Sequence, residues 1–309
     1  MPTSRNAIHA STSSRNDPEP AVRARVWVEA ARPKTLSAAV SPVLVGTAAA
    51  ENFVAWRALA ALVVALALQV AVNFANDLFD AARGVDTLDR SGPRRAVAAG
   101  LITPTAMKVA IAVALGIAAI AGLSLVVAVG SELLLVGALC VAAALLYSGG
   151  PRPYGSYGLG EVAVFVFFGL IATAGSAYVH DETLTQTAYV AAIPIGLLAV
   201  AILVANNLRD VDTDAAAGKR TLAVRLGPSR TRLLYQVLVV FAFLATGVVA
   251  GVDGSFLPLL ALVAVPFAVR PVDLVLHSAS GPELIDALAA TARLELIYAA
   301  LLAVGLWAS

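Results

Sequence analysis

Nine apolar stretches follow one another through this chain with barely a polar pause, and that succession decides most of what it can fold into. They lie near residues 35–51, 55–82, 106–129, 132–148, 159–179, 187–209, 230–250, 255–271 and 287–307. Each approaches the ~20 apolar residues that a helix needs to cross a bilayer core; the fourth and eighth are short. Composition agrees, with 60% apolar and 13% charged residues against about 25% charged in soluble domains. So few charges cannot cover a soluble globule of this size. That excludes a soluble enzyme, a disordered chain and a nucleic-acid binder, and a net charge of +1 gives no overall pull toward nucleic acid.

The expected fold is therefore all-α: a multi-pass integral membrane bundle of nine transmembrane helices in contact with membrane lipid. Residues 1–22 are polar, rich in Ser, Asn and Pro, and lack an apolar signal-peptide core. They are expected to form a disordered tail ahead of a single transmembrane domain, 23–309. Topology follows from the basic residues. With the N-terminus inside, 20 of the 21 Lys and Arg fall in the tail or at the inner ends of the helices, and only Arg57 lies opposite. Positive charge in short loops marks the cytoplasmic side, so the expected location is the cytoplasmic membrane, with the N-terminus facing the cytoplasm.

Against this apolar background the acids are clustered. Seven of the 20 acidic residues crowd the inner ends of the second and sixth segments, and charge at bilayer depth is costly enough to mark function. In NFANDLFDAARGVD, Asn73, Asn76, Asp77 and Asp80 follow i, i+3, i+4, i+7 spacing, which puts them on one helix face; Asp86 follows Gly84. In NNLRDVDTD, Asn206, Asp210 and Asp214 recur every four residues. The segments lie 134 residues apart, from Asp80 to Asp214, and each runs into a Gly-plus-basic loop: SGPRR with Arg94, and GKR with Lys219. The pair reads as an internal repeat.

Facing carboxylates repel in a low dielectric unless a cation lies between them. A single Cys140 and three scattered histidines leave only oxygen ligands, which makes Mg²⁺ the natural ion. Mg²⁺ is held by few carboxylates together with substrate phosphates, and the basic loops would clamp a diphosphate. The charged end thus reads as a diphosphate site at the inner, cytoplasmic membrane surface. Asp and Asn also cap helices, but two matched segments with basic loops exceed what capping needs.

Other basic and aromatic residues collect at the same end. The loop LYSGGPRPYGSYGLGE supplies Tyr147 and Arg152, as phosphate and cation contacts or as an interfacial belt. Arg32 and Lys34 in ARPKTL meet an anionic aromatic acceptor or set topology. Phe165, Phe167 and Phe168 read as bundle or lipid contacts, and Glu161 as structural.

NDLFDAARGVD and DVDTD, on the second and sixth helices, resemble the motifs of the UbiA superfamily of intramembrane aromatic prenyltransferases. The usual third motif acid is displaced here, with Gly84 at its position and Asp86 two residues on. That ending, with ARPKTL, DRSGPRRAVAAGLITP, YSGGPRPY and NNLRDVDTDAAAGKRTLAVRLG, is similar to the 1,4-dihydroxy-2-naphthoate polyprenyltransferase branch. The resemblance implies a polyprenyl diphosphate lying tail-inward, with its diphosphate on Mg²⁺ between the Asp motifs. The allylic cation would be captured by 1,4-dihydroxy-2-naphthoate, whose carboxylate leaves as CO₂ to give demethylmenaquinone. It further implies Asn76, Asp80, Asp210 and Asp214 as metal or diphosphate ligands, Asp77 beside them among the catalytic acids, and Asn73, Asp86, Arg94, Arg152 and Lys219 as further contacts. Other acceptors stay open, namely 4-hydroxybenzoate, haem or a sugar phosphate. A divalent-cation transporter is the rival from another class, although the outer half of the second helix is apolar apart from Gln69.

Overall fold

The computed structural model describes residues 20–84, 95–277 and 281–309, and among them every regular element is helical. The expected tail lies outside the described residues except for its last three positions, which open helix α1 (Pro20–Ala31). A single turn at Pro33–Thr35 leads into α2 (Ser37–Ala48). Then come α3 (Ala55–Ala82), α4 (Pro104–Ala128) and α5 (Glu132–Leu146). A rod over Gly160–Asp181 consists of α6 (Gly160–Val164), a π-helical stretch at Phe165–Ile171 and α7 (Ala172–Asp181). Next are α8 (Gln186–Arg209) and two short helices, α9 (Val211–Ala216) and α10 (Leu222–Leu226). The chain ends with α11 (Pro228–Asp253), a 3₁₀ stretch at Leu257–Ala264 continued by α12 (Val265–His277), and α13 (Gly281–Ala308).

Nine apolar helical rods are present among the described residues, and seven are long and apolar enough to cross a membrane. The eighth, Leu257–His277, is one of these. The two short ones are α2, with 12 residues, and α5, with 15. At 1.5 Å per residue they rise only about 18 and 22 Å. The first segment loses 35–36 to the Pro33 turn and 49–51 beyond the Ala48 helix end, and the fourth stops at Leu146, ahead of the turn and bend at 147–150.

The helices are inverted relative to those of a soluble bundle. Along α4, Val109, Val113, Ile117, Ile120 and Val127 are exposed, while Met107, Ile111, Ala114 and Ala118 are buried. An apolar outer stripe repeating every three to four residues is a lipid-facing surface. The α8 helix is the axle of the bundle: 72% of its spanning window is buried, against 22% for α4. Its Gly196 meets Gly169 of the π-helical stretch so closely that a Cβ on Gly169 would lie 2.6 Å from the Gly196 Cα. Each Asp-bearing helix packs along the spanning helix that follows it, α3 on α4 and α8 on α11, as a repeated unit requires. Elsewhere in the core, Tyr235 and Tyr298 pair their hydroxyls with Thr291 and Thr246 at 2.6 and 2.7 Å, closing α11 against α13.

Candidate active site

α3 and α8 bring the two acidic segments to one end of a cavity of about 810 Å³. On α3 the cavity wall runs from Ala61 through Val64, Leu68, Gln69, Val72, Asn73 and Asn76 to Asp80, one helix face along its whole length. Asp77 leaves that face. Its two carboxylate oxygens accept the Ala96 and Val97 N–H groups, each at 2.9 Å, and it does not line the cavity. At i+4 from Asn73 it lies on the edge of the stripe, and the loop before α4 takes it. The four-residue face read from the spacing therefore splits: Asn73, Asn76 and Asp80 point inward, and Asp77 anchors a loop. That anchor sets the position of Arg95, the residue before Ala96, whose Nη2 reaches Asp80 Oδ2 at 3.4 Å.

The second segment bends where it becomes polar. α8 ends at Arg209, Asp210 adopts a non-helical ψ of 7°, and α9 restarts from it. Arg209 forks onto the Asp210 carboxylate at 2.8 and 2.7 Å and reaches Asn206 Oδ1 at 2.8 Å. Asn206, Asp210 and Asp214 all line the cavity despite the break. After α9, Gly218 turns the chain through a φ of +75°, a left-handed conformation that favours glycine. The turn sends Lys219 back over the carboxylates. Its Nζ lies 3.2 Å from Asp80 Oδ2 and 3.8 Å from Asp214 Oδ1. One ammonium thus joins carboxylates that are 134 residues apart in sequence.

The loop after α5 closes the charged end. Tyr147 and Tyr154 meet edge to face at 5.4 Å, Ser148 Oγ donates to Asn76 Oδ1, and Tyr154 donates to the Ala143 carbonyl at 2.8 Å. Burial, then the carboxylates around it, holds the Tyr147 phenol above its ordinary range, so it stays a neutral donor. Burial pushes Tyr154 up to about 12. Arg32 lines the cavity from a left-handed φ of 54°, uncommon for a residue with a side chain.

Not every expected residue arrives here. Arg152 and Lys34 are exposed and off the cavity wall. Asp86 and Arg94 lie outside the described residues. Phe167 and Phe168, read as bundle or lipid contacts, belong instead to the cavity wall. Glu161, read as structural, lies off the wall of this cavity and accepts from Asn207 Nδ2 at 2.9 Å. Arg95 and Arg209 were not singled out by the sequence, where two adjacent arginines, or an Arg beside an Asp, give no hint of which one turns inward.

Away from its charged end the cavity is mostly apolar, with Gln69 and Ser176 as isolated polar groups, and its wall includes Val43, Ala61, Leu125 and Val179 of a packed buried cluster. Its charged side chains among the described residues, from Arg32 to Lys219, all gather at the one end. Among the described residues no three acidic, His or Cys side chains form a ready-made metal cage. The donor set still fits Mg²⁺: carboxylates that hold an ammonium between them can hold a divalent ion, and Mg²⁺ completes its shell with water and phosphate.

A membrane-embedded bundle with an acid-and-base mouth over a long apolar cavity is the architecture of an enzyme that handles a charged head on a lipid tail. The chain belongs to the UbiA prenyltransferase family, whose model matches residues 39–281. It is 45% identical over 278 residues to the 1,4-dihydroxy-2-naphthoate octaprenyltransferase of Mycobacterium tuberculosis, covering 88% of this chain and 94% of the relative. It is 41% identical over 226 residues to the Escherichia coli protein of the same name, covering 70% and 73%. The solved structure of a UbiA homolog from Archaeoglobus fulgidus bound to GPP and Mg²⁺ superposes with a TM-score of 0.59 at 14% identity, covering 90% of this chain and 99% of that one.

Proposed function

We propose that this enzyme transfers a polyprenyl group from polyprenyl diphosphate to 1,4-dihydroxy-2-naphthoate, with loss of the ring carboxylate as CO₂ and Mg²⁺ as cofactor, yielding demethylmenaquinone. The observation that carries the reading is Lys219, placed between Asp80 and Asp214 at the mouth of an apolar cavity. The names of the bacterial relatives support the acceptor, and the ligands of the archaeal homolog support the ion and the diphosphate. The distribution of basic residues supports a charged end at the cytoplasmic face of the cell membrane. The domain is taken as a single transmembrane unit from residue 23.

Asn76, Asp80, Asp210 and Asp214 would hold Mg²⁺, which neutralises charge as diphosphate leaves. Lys219 and Arg95 turn from the carboxylates to the diphosphate oxygens, where charge-assisted hydrogen bonds strengthen as the C–O bond breaks. The neutral Tyr147 hydroxyl donates in the same region. Phe167 and Phe168 flank the allylic cation and exclude water from it. The ring carbon that carries the carboxylate then forms the new C–C bond, and the electron pair of its C–COO⁻ bond returns to the ring as CO₂ leaves, restoring aromaticity.

The test is prenyl transfer in detergent or lipid, following CO₂ and prenylated product with Mg²⁺, with EDTA, and in Asp80 and Asp214 variants. Metal-dependent product from this acceptor, lost in both variants, supports the reading. Diphosphate release only with another acceptor overturns the naphthoate assignment.

A further inference from the structure

One buried side-chain oxygen in the cavity wall, Gln69 Oε1, has no partner among the described residues. Gln69 sits one turn below Asn73 on α3, only 7% exposed, beside Ala65, Leu68 and Val72. Its Nε2 donates to Thr35 Oγ1 at 3.3 Å, but its Oε1 accepts nothing among the described residues. Thr35 fixes which way the amide points. The Thr35 hydroxyl hydrogen goes to the Arg32 carbonyl at 3.0 Å, so its oxygen can only accept, and Gln69 must turn its amino group toward it. Neighbouring Asn73 directs Nδ2 to the Ala31 carbonyl at 2.8 Å and to the same Thr35 at 3.4 Å, which commits both of its amide hydrogens. An acceptor buried without a donor costs free energy. Among the described residues no donor comes from the surrounding wall, so the bound molecule is left to supply one.

We propose that Gln69 is a specificity-determining contact for the aromatic acceptor, its Oε1 accepting a hydrogen bond from a ring hydroxyl. This rests on the functional reading above. A prenyl tail carries no N–H or O–H, and an ionised diphosphate only accepts. A dihydroxy-naphthoate has two hydroxyls, and the one ortho to the carboxylate is tied to it internally. The hydroxyl at position 4 is therefore the available donor. Gln69 is 11 residues from Asp80, about 16 Å along the helix, which leaves room for the diphosphate at the mouth and a fused two-ring acceptor beneath it. Arg32 lines the same cavity and offers the carboxylate a cation.

The experiment uses the full chain in detergent or lipid, comparing wild type with Gln69→Leu, which removes the acceptor oxygen at similar volume, and Gln69→Glu, whose buried neutral carboxyl keeps both a hydrogen for Thr35 and an acceptor oxygen. Steady-state KM is measured for 1,4-dihydroxy-2-naphthoate and for polyprenyl diphosphate. 1-Hydroxy-2-naphthoate, lacking the position-4 hydroxyl, is measured as a competitive inhibitor. The expected result is a tenfold or larger rise in KM for the diol in Gln69→Leu, KM for the diphosphate within twofold, unchanged inhibition by the monohydroxy acid, and recovery in Gln69→Glu. An unchanged KM for the diol overturns the proposal. So does an equal loss of affinity for both acids, which would assign Gln69 to packing or to a bound water. If Gln69→Leu does not accumulate, Gln69→Met gives the same comparison. Wild type that turns over no 1,4-dihydroxy-2-naphthoate defeats the functional reading itself; failure confined to the variants defeats only the role of Gln69.

Discussion

At the Ala55 end of α3, Arg57 reaches the carbonyl oxygens of Val179, His180 and Ala128 at 2.9, 3.4 and 3.2 Å, and the Glu182 carboxylate at 3.0 Å. Around it, Asp181 accepts the N–H groups of Glu51 and Asn52, both at 2.8 Å, and His180 Nδ1 accepts that of Val54 at 3.1 Å. At the Ala82 end, Asp80 is met by Lys219 and Arg95, and Asp210 by Arg209. Both ends bury charged side chains, but their partners differ in kind. Arg57, Asp181 and His180 bind mainly backbone, satisfying the last carbonyls of α4 and α7 and the turn before α3; a cation at helix C-termini is held by the dipole as well. Such bonds last as long as the fold does. Asp80 and Asp214 bind side-chain cations beside a cavity, and those cations can be re-paired with a ligand. Burial of charge does not distinguish a site from a clasp; the exchangeability of the partner does.

The sharpest way to break this comparison is to neutralise the exchangeable end. Asp80→Asn or Asp214→Asn keeps shape and removes the charge that offsets Lys219 and the metal. Product formation should fall roughly a hundred- to a thousandfold, the size of losing one preorganised electrostatic contact. Purified variants should still show one thermal transition. Activity retained in both would make the inner cluster a second clasp.

Lys219→Met sharpens the distinction, because Arg95 remains on Asp80 while the bridge to Asp214 is lost. A hydrogen bond to a charged group contributes about 1.5–3 kcal/mol. KM for polyprenyl diphosphate should therefore rise about ten- to a hundredfold, with the Mg²⁺ requirement intact. A change confined to melting temperature would mean that Lys219 only braces the fold.

These two ends were unequally legible in the sequence. Apolar length gave the spanning rods, because every spanning backbone group must be satisfied within its own helix. It overestimated α2 and α5, whose ends are cut by turns rather than by polar residues. Helical spacing located Asn73, Asn76 and Asp80, but the fate of Asp77 depended on a loop about 20 residues away, and no periodicity encodes that contact. Lys219 was legible as a base near the acids; its bridging position follows from the Gly218 turn. Gln69 was visible only as a lone polar residue in an apolar run. Its significance appeared once Thr35, from a different element, was seen to fix its amide. Arg57 was the one exception to the charge asymmetry, and its reason is wholly tertiary.

That exception gives the next test. Arg57→Ala strips partners from carbonyls of α4 and α7, and unmet buried acceptors cost about 1–3 kcal/mol. The melting temperature should drop by several degrees, whereas turnover per folded molecule should stay within twofold. A large loss of turnover at unchanged stability would erase the contrast between the two ends of α3.

The smallest effect is expected where the sequence placed basic residues at the site and the structure does not. Arg152 and Lys34 are exposed and do not line the cavity, so water screens their charges and their stems hold nothing in place. Arg152→Ala and Lys34→Ala should each leave KM for both substrates and the melting temperature within twofold and a degree or so of wild type. Raising the ionic strength should not separate either variant from wild type. The comparison is demanding because both residues sit in the same basic-rich end as Lys219 and differ from it chiefly in reach. If either variant raises KM for polyprenyl diphosphate as Lys219→Met does, then the working mouth of the cavity extends over the 149–157 loop or the Pro33 turn. The exchangeable end of α3 would then include cations that close over the diphosphate only when it is bound.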